Sequence, residues 1–181
     1  MKNKFIGLSM VVFLFAISFQ IKAQLNFQNL DSLPRGLIFH SSCTDGKYLY
    51  AINGQYSGNK QQLVSKKIYR YDPSLNKWST LKDSLSPKIQ SIAAYIASTG
   101  KIYVIGGGVG GAFIRDYKTP FKGVETIDVK TGKVDTLAVT NPFPAYYSGS
   151  AVWNDTIYIF GGTKEGGIPS RSFYAFDRQK K

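Results

Sequence analysis

Gly106, Gly108 and Gly111 stand in G-x-G-x-x-G spacing within KIYVIGGGVGGAF, residues 101–113. Such a turn can hold a pyrophosphate when it opens a helix inside a βαβ unit and an acidic residue follows about twenty positions later. Asp128 stands near that distance, but the AFIRDYKTPFKG that follows the turn has no helical period and contains a proline. A dinucleotide site is therefore not expected, nor is any other cofactor. His40 is the only histidine and Cys43 the only cysteine. Zinc and copper sites draw on several His or Cys ligands, so no metal is expected. One histidine also leaves no convincing Ser-His-Asp arrangement. Cys43 has no internal partner for a disulfide and reads as a small buried hydrophobe. What remains is charge among aromatics: 23 Lys and Arg against 11 Asp and Glu, with 12 Tyr and 12 Phe.

The elements that must position these groups come from an internal repeat. KYLYAINGQ (47–55), KIYVIGGGV (101–109) and TIYIFGGTK (156–164) superpose with Tyr50, Tyr103 and Tyr158 in line. Asn53-Gly54, Gly106-Gly107 and Gly161-Gly162 follow them at matching places. β-Branched and aromatic residues alternate over about five positions in each, which predicts strands. Upstream strands are expected at FHSSC (39–43), SIAAYIA (91–97) and SGSAVW (148–153), each before a tight turn: Asp45-Gly46, Thr99-Gly100 and Asn154-Asp155. Downstream, KIYRYD (67–72), GVETID (123–128) and SFYAFD (172–177) end in an aspartate, and KWSTL (77–81) and KVDTL (133–137) supply fourth strands. Cys43 aligns in this scheme with Ile96 and Ala151, both apolar.

Four antiparallel strands per unit of about fifty residues resemble the blade of a kelch-type β-propeller. The resemblance is carried by the glycine pair closing strand two (Gly54, Gly106, Gly107, Gly161 and Gly162) and by Tyr71 followed by Trp78. Unit two departs from it, with Ile127 and Val134 at the aromatic positions. The fold expected is all-β: about three four-stranded blades, an incomplete propeller or half of a six-bladed one. The units run over 35–86, 87–140 and 141–181, the last partial. FQNLDSLP (27–34) resembles WSTLKDSLSP (78–87) and is expected to be an outer closing strand. Three blades are few for a closed ring. A truncated product, a fragment of a larger relative and a two-fold homodimer completing six blades all fit.

Residues 1–23 have the layout of a secretory leader: Lys2 and Lys4, an apolar MVVFLFAI, then IKA, with cleavage expected after Ala23. Removing them takes away three lysines and no acid, so the formal charge falls from +12 to +9. A secreted or periplasmic chain is expected, with no nucleic-acid partner and no membrane contact after cleavage. Candidate ligand-binding residues lie after the glycine pairs, in segments 55–66, 108–122 and 163–171: Tyr56, Lys60, Arg115, Tyr117, Lys118, Lys164 and Arg171. Cations beside aromatics suit an acidic glycan or a protein surface. The family resemblance implies a binding module. The alternative it implies is a sugar-directed enzyme of the sialic acid mutarotase type, with Arg35, Arg115 or Glu125 as candidate groups. A non-functional remnant is a third reading.

Overall fold

The computed structural model describes residues 26–58, 61–109 and 119–177. The leader, and with it the Ala23 cleavage site, lies outside these residues, as do Lys60, Arg115, Tyr117 and Lys118. In chain order the strands are β1 (Ser41–Thr44), β2 (Leu49–Ile52), β3 (Gln55–Gly58), β4 (Gln61–Val64), β5 (Ile68–Asp72), β6 (Lys77–Thr80), β7 (Ile92–Ile96) and β8 (Lys101–Ile105). They continue with β9 (Gly108–Val109), β10 (Thr119–Pro120), β11 (Gly123–Asp128), β12 (Val134–Thr140), β13 (Gly149–Trp153), β14 (Thr156–Phe160) and β15 (Phe173–Phe176). The sheets β1-β2-β5-β6 and β7-β8-β11-β12 are complete antiparallel blades, and β13-β14-β15 is a third with three strands. Among the described residues no helix is long and apolar enough to cross a membrane.

The turns follow their residues. Asn154 (φ 47°) and Asp155 (φ 56°) both occupy the left-handed region that a two-residue hairpin needs, and Asn and Asp tolerate it. Asp72 accepts from the Ser74 N–H at 2.9 Å and the Ser74 hydroxyl at 2.6 Å. Asp128 does the same for the Thr131 N–H and hydroxyl at 2.8 and 2.9 Å. The recurring aspartates are thus turn caps between strands three and four, and hydrogen bonds from Thr131 hold the Asp128 carboxyl below its ordinary range. Tyr71 and Trp78 are direct cross-strand partners with ring centroids 5.1 Å apart. Ile127 and Val134 pair at the equivalent place in blade 2. Aromatic and aliphatic pairs do the same job there.

Each blade presents one face to the next. Blade 1 packs Tyr50, Ile52 and Ile68 against Ile102, Val104 and Ile127 of blade 2. The opposite face of blade 2 (Ala94, Ile96, Tyr103, Ile105 and Val124) packs against Ile157 and Ile159, with Phe176 beside them. Both sides of β8 are therefore buried beyond Lys101, which is why the IYVI that follows is apolar on both faces. In blade 3 the positions equivalent to Ile96, Tyr103, Ile105 and Val124 are Trp153, Tyr158, Phe160 and Phe173, by cross-strand register. Trp153 and Phe173 are 65% and 69% exposed, so this aromatic face is uncovered.

Three sequence expectations change. Residues 27–34 form no strand; Asp31 instead accepts from the Trp78 N–H at 3.2 Å and, through its carbonyl, from the Trp78 indole at 3.1 Å. Asp83 caps the Val134 N–H at 3.0 Å in the same way. The likeness of 27–34 to 78–87 is therefore that of a segment leading into a blade, held by local bonds to blade 1. Second, the segments after the glycine pairs are not plain loops. β3 and β4 pair into a small antiparallel sheet of their own, as do β9 and β10. Third, Cys43 stands opposite Tyr50 as Ala94 stands opposite Tyr103, so its equivalents are Ala94 and Ala151, not Ile96. It is half-buried against the core between blades 1 and 2, and burial with Asp45 nearby pushes the thiol up to about 12.

Candidate functional site

Antiparallel order puts the connections between strands two and three, and those leading into strand one, at the same end of every blade. This end is the loop face, and the glycine pairs build it. Asn53, Gly106 and Gly161 have φ of 58°, 67° and 65°; Gly54, Gly107 and Gly162 have φ of 92°, 96° and 87°. A Cβ added to Gly107 would lie 2.8 Å from the Ile89 carbonyl and 3.0 Å from the Ser91 Cβ. The pair thus turns the chain and seats it against the segment leading into its own blade. It also links blades: the Gly54 N–H reaches the Lys88 carbonyl at 3.4 Å, and the Gly107 N–H reaches the Ala145 carbonyl at 3.0 Å. A second stitch runs nearby through Phe39, Gln90 and Tyr147, each in the left-handed region at φ of 57–60°. The Gln90 N–H donates to the Phe39 carbonyl at 2.8 Å and the Tyr147 N–H to the Gln90 carbonyl at 3.1 Å.

Two clefts open on this face. The first, of about 340 Å³, is lined by Arg35, Tyr56, Ser65, Lys66, Lys67 and Tyr69, with Val64 at its edge. Arg35 lies over the Tyr56 ring, 4.2 Å from its centroid. The electron-rich face of the ring attracts the guanidinium, whose fork of N–H donors matches a carboxylate. Among the described residues no carboxylate lines this cleft. The second, of about 400 Å³, lies between blades 2 and 3 and includes Lys122, Lys164, Phe143, Pro142, Pro144 and Glu165. Of the sequence candidates, Tyr56 thus belongs to one cleft and Lys164 to the other, while Arg171 is exposed just ahead of β15. His40 is exposed as well. Among the described residues no group of three or more His, Cys, Asp or Glu is placed to hold a metal ion.

Beneath the face lies a group that sequence reasoning half-saw. Glu125 is 3% exposed and forms an ion pair with Lys88, which is 0% exposed. The other Glu125 oxygen accepts from the Ser86 N–H at 2.9 Å, and the Lys88 ammonium lies 4.6 Å from the Phe121 ring centroid. Burial pushes the Lys88 ammonium down, against the pull of the Glu125 carboxylate. Both residues break the repeat. Lys88 stands where the other units have Leu37 and Ala145, and Glu125 where they have Tyr69 and Tyr174. Two departures in one unit were the legible signal for Lys88, which only the tertiary contact turns into a pair. The pair holds the leading segment of blade 2 onto its own third strand and offers no open group to a ligand.

The family described as Kelch motif matches residues 38–84 and 144–181. The unmatched stretch contains blade 2, the unit with Ile127 and Val134 in place of the aromatic pair. Kelch-like protein 34 of Homo sapiens is 24% identical over 171 residues, covering 86% of this chain and 25% of the relative. The solved structure of YjhT superposes with a TM-score of 0.58 at 22% identity, covering 75% of this chain and 37% of that one. The chain thus spans about a quarter of that relative's length and little more than a third of that structure's. At this identity the YjhT likeness speaks for the fold. Repeated glycine pairs, four-stranded antiparallel blades and two Kelch motif matches identify the blades of this chain as kelch repeats.

Proposed function

We propose that this chain is an exported binding module whose loop face takes an anionic partner, either an acidic glycan or an acidic protein surface. One observation carries the reading: a cleft holding Arg35, Lys66 and Lys67 beside Tyr56 and Tyr69, with no carboxylate among the described residues that line it. Cations without local counter-charges attract an anion, and a stacked guanidinium can grip a carboxylate with two parallel bonds. Calorimetric titration with galacturonate is expected to give binding that weakens with salt, and Arg35→Ala is expected to lower the affinity about tenfold or more. Unchanged affinity in Arg35→Ala would remove the cleft from the account. For the mutarotase-type alternative, Glu125 is sealed by Lys88, Arg35 is exposed at the first cleft, and Arg115 lies outside the described residues.

The uncovered aromatic face of blade 3 supports a second reading, of association. What fits Trp153, Tyr158, Phe160 and Phe173 is the partner face of another kelch-type blade, the kind that Ile102, Val104 and Ile127 form for blade 1. Blade 1 of a second copy carries Leu49, Ala51 and Tyr71 at those positions, of which Leu49 is exposed and the other two are covered within their own chain; pairing there would complete a six-bladed ring. Sedimentation of the chain lacking residues 1–23 is expected at twice the chain mass, shifting to the single mass in Phe173→Ser. A wild-type chain that stays at single mass at high concentration argues against the homodimer.

A further inference from the structure

We propose that the loop face carries a cationic track in register with the blades, Lys66, Lys122 and Arg171, which binds an extended acidic polysaccharide. The proposal rests on reading that face as an anion-binding surface, and it names the class of ligand.

All three residues stand at one position of the repeat, where the chain enters the third strand of its blade. Backbone bonds show the equivalence. The Asn53 N–H donates to the Lys67 carbonyl at 3.0 Å in blade 1, and the Gly161 N–H to the Ser172 carbonyl at 2.9 Å in blade 3. The Lys66 carbonyl accepts from the Leu85 N–H at 3.0 Å, and the Lys122 carbonyl from the Asn141 N–H at 2.7 Å. The same tie therefore pins both lysines from the segment leading to the next blade. All three side chains are exposed. Lys66 lines the first cleft and Lys122 the second, so each cleft is supplied with a cation from this same position. The next residue along has no such pattern: it is Lys67, Gly123 and Ser172 in the three blades. Positive charge is kept at one place while its neighbour changes freely.

Cations repeated at a fixed blade interval suit a ligand whose charges are also repeated. A uniformly charged sugar polymer meets the track from any starting unit, whereas an acidic protein segment must carry its acids in one particular register. Phe143, which lines the second cleft and is exposed, adds apolar surface on which a sugar ring can rest. A single acidic sugar reaches one cation. A chain long enough to cross the blades reaches all three, and its affinity rises through effective concentration rather than through new kinds of contact.

Galacturonate and its oligomers of increasing length, up to about ten units, are the probe, titrated at low and moderate salt. Affinity is expected to climb steeply with length. Lys66→Gln, Lys122→Gln and Arg171→Gln are each expected to weaken the longest oligomer by a similar factor and to reduce its log-affinity against log-salt slope by about one. Lys130→Gln, in the strand 3–4 turn at the opposite end of blade 2, removes the same charge from another place and is expected to change neither. Affinity that does not grow with length, or an equal loss in Lys130→Gln, overturns the track. So does tighter binding of poly-L-glutamate of matched charge, which would make the partner an acidic protein segment. If the monomer binds and Arg35→Ala abolishes that binding while length adds nothing, the track fails and the cleft stands. If neither monomer nor oligomer binds, both fail.

Discussion

Lys88→Met is expected to destabilise the chain by about 3–5 kcal/mol, because it leaves the Glu125 carboxylate buried with no counter-charge. Only the Ser86 N–H, at 2.9 Å, would remain to solvate that group. Glu125→Gln is the complementary loss. It leaves an ammonium facing the Ser86 carbonyl at 3.5 Å and the face of the Phe121 ring, a poor replacement for a carboxylate. Removing both charges at once, as in Lys88→Met with Glu125→Leu, should cost far less than either single change, since well-packed apolar groups carry no desolvation penalty. Urea unfolding of the four proteins completes a double-mutant cycle, and the expected coupling is large and favourable. Additive effects would mean that the two groups do not rely on each other. The same cycle separates a structural role from ligand binding, because the double variant is expected to retain galacturonate affinity.

Gly107→Ala is the second large effect, expected at about 1–3 kcal/mol from backbone strain alone. Its φ of 96° excludes ordinary L-residues, and the added Cβ would press on the Ile89 carbonyl at 2.8 Å and the Ser91 Cβ at 3.0 Å. Contact with backbone leaves little room to relax, so the loss should exceed that of Gly100→Ala. Gly100 also has positive φ, at 63°, but an added Cβ there meets nothing within 4 Å. Thermal unfolding of the two variants side by side tests the distinction. Equal losses would reduce the glycine pair to a matter of dihedral preference. A larger loss at Gly107 shows that close approach of chain to chain is part of the motif. Asn53 makes the related point: it holds the first position of the pair at φ 58°, which Asn can adopt, whereas no unit replaces the second glycine.

Much of the architecture was legible because it is local and repeated. Tyr50, Tyr103 and Tyr158 mark the second strand of each unit, and the turn residues beside them have the conformations their chemistry favours. The aspartates at 72 and 128 lie one turn away from the groups they cap, so their recurrence could be seen without knowing what they bind. Less legible were positions whose meaning depends on another blade. Phe39, Gln90 and Tyr147 share an unusual backbone conformation although nothing in their side chains calls for it. Bonds between blades impose it. Residues 27–34 looked like a strand because they resemble 78–87, yet in the fold they bond to Trp78 of blade 1 and pair with no strand edge.

The candidate site divides along the same line. Composition and loop position singled out Tyr56 and Lys164, but could not place them in separate clefts or set Arg35 on the Tyr56 ring. The sequence by itself determined the blade unit, its glycine pairs, its turns and the basic character of the chain, since these depend on dihedral preference, alternation and charge count. Only the tertiary structure decided that Lys88 and Glu125 neutralise each other, and that Lys66 and Lys122 each line a cleft. Those facts depend on which segments of different blades come together, and sequence spacing does not encode distance across a blade interface.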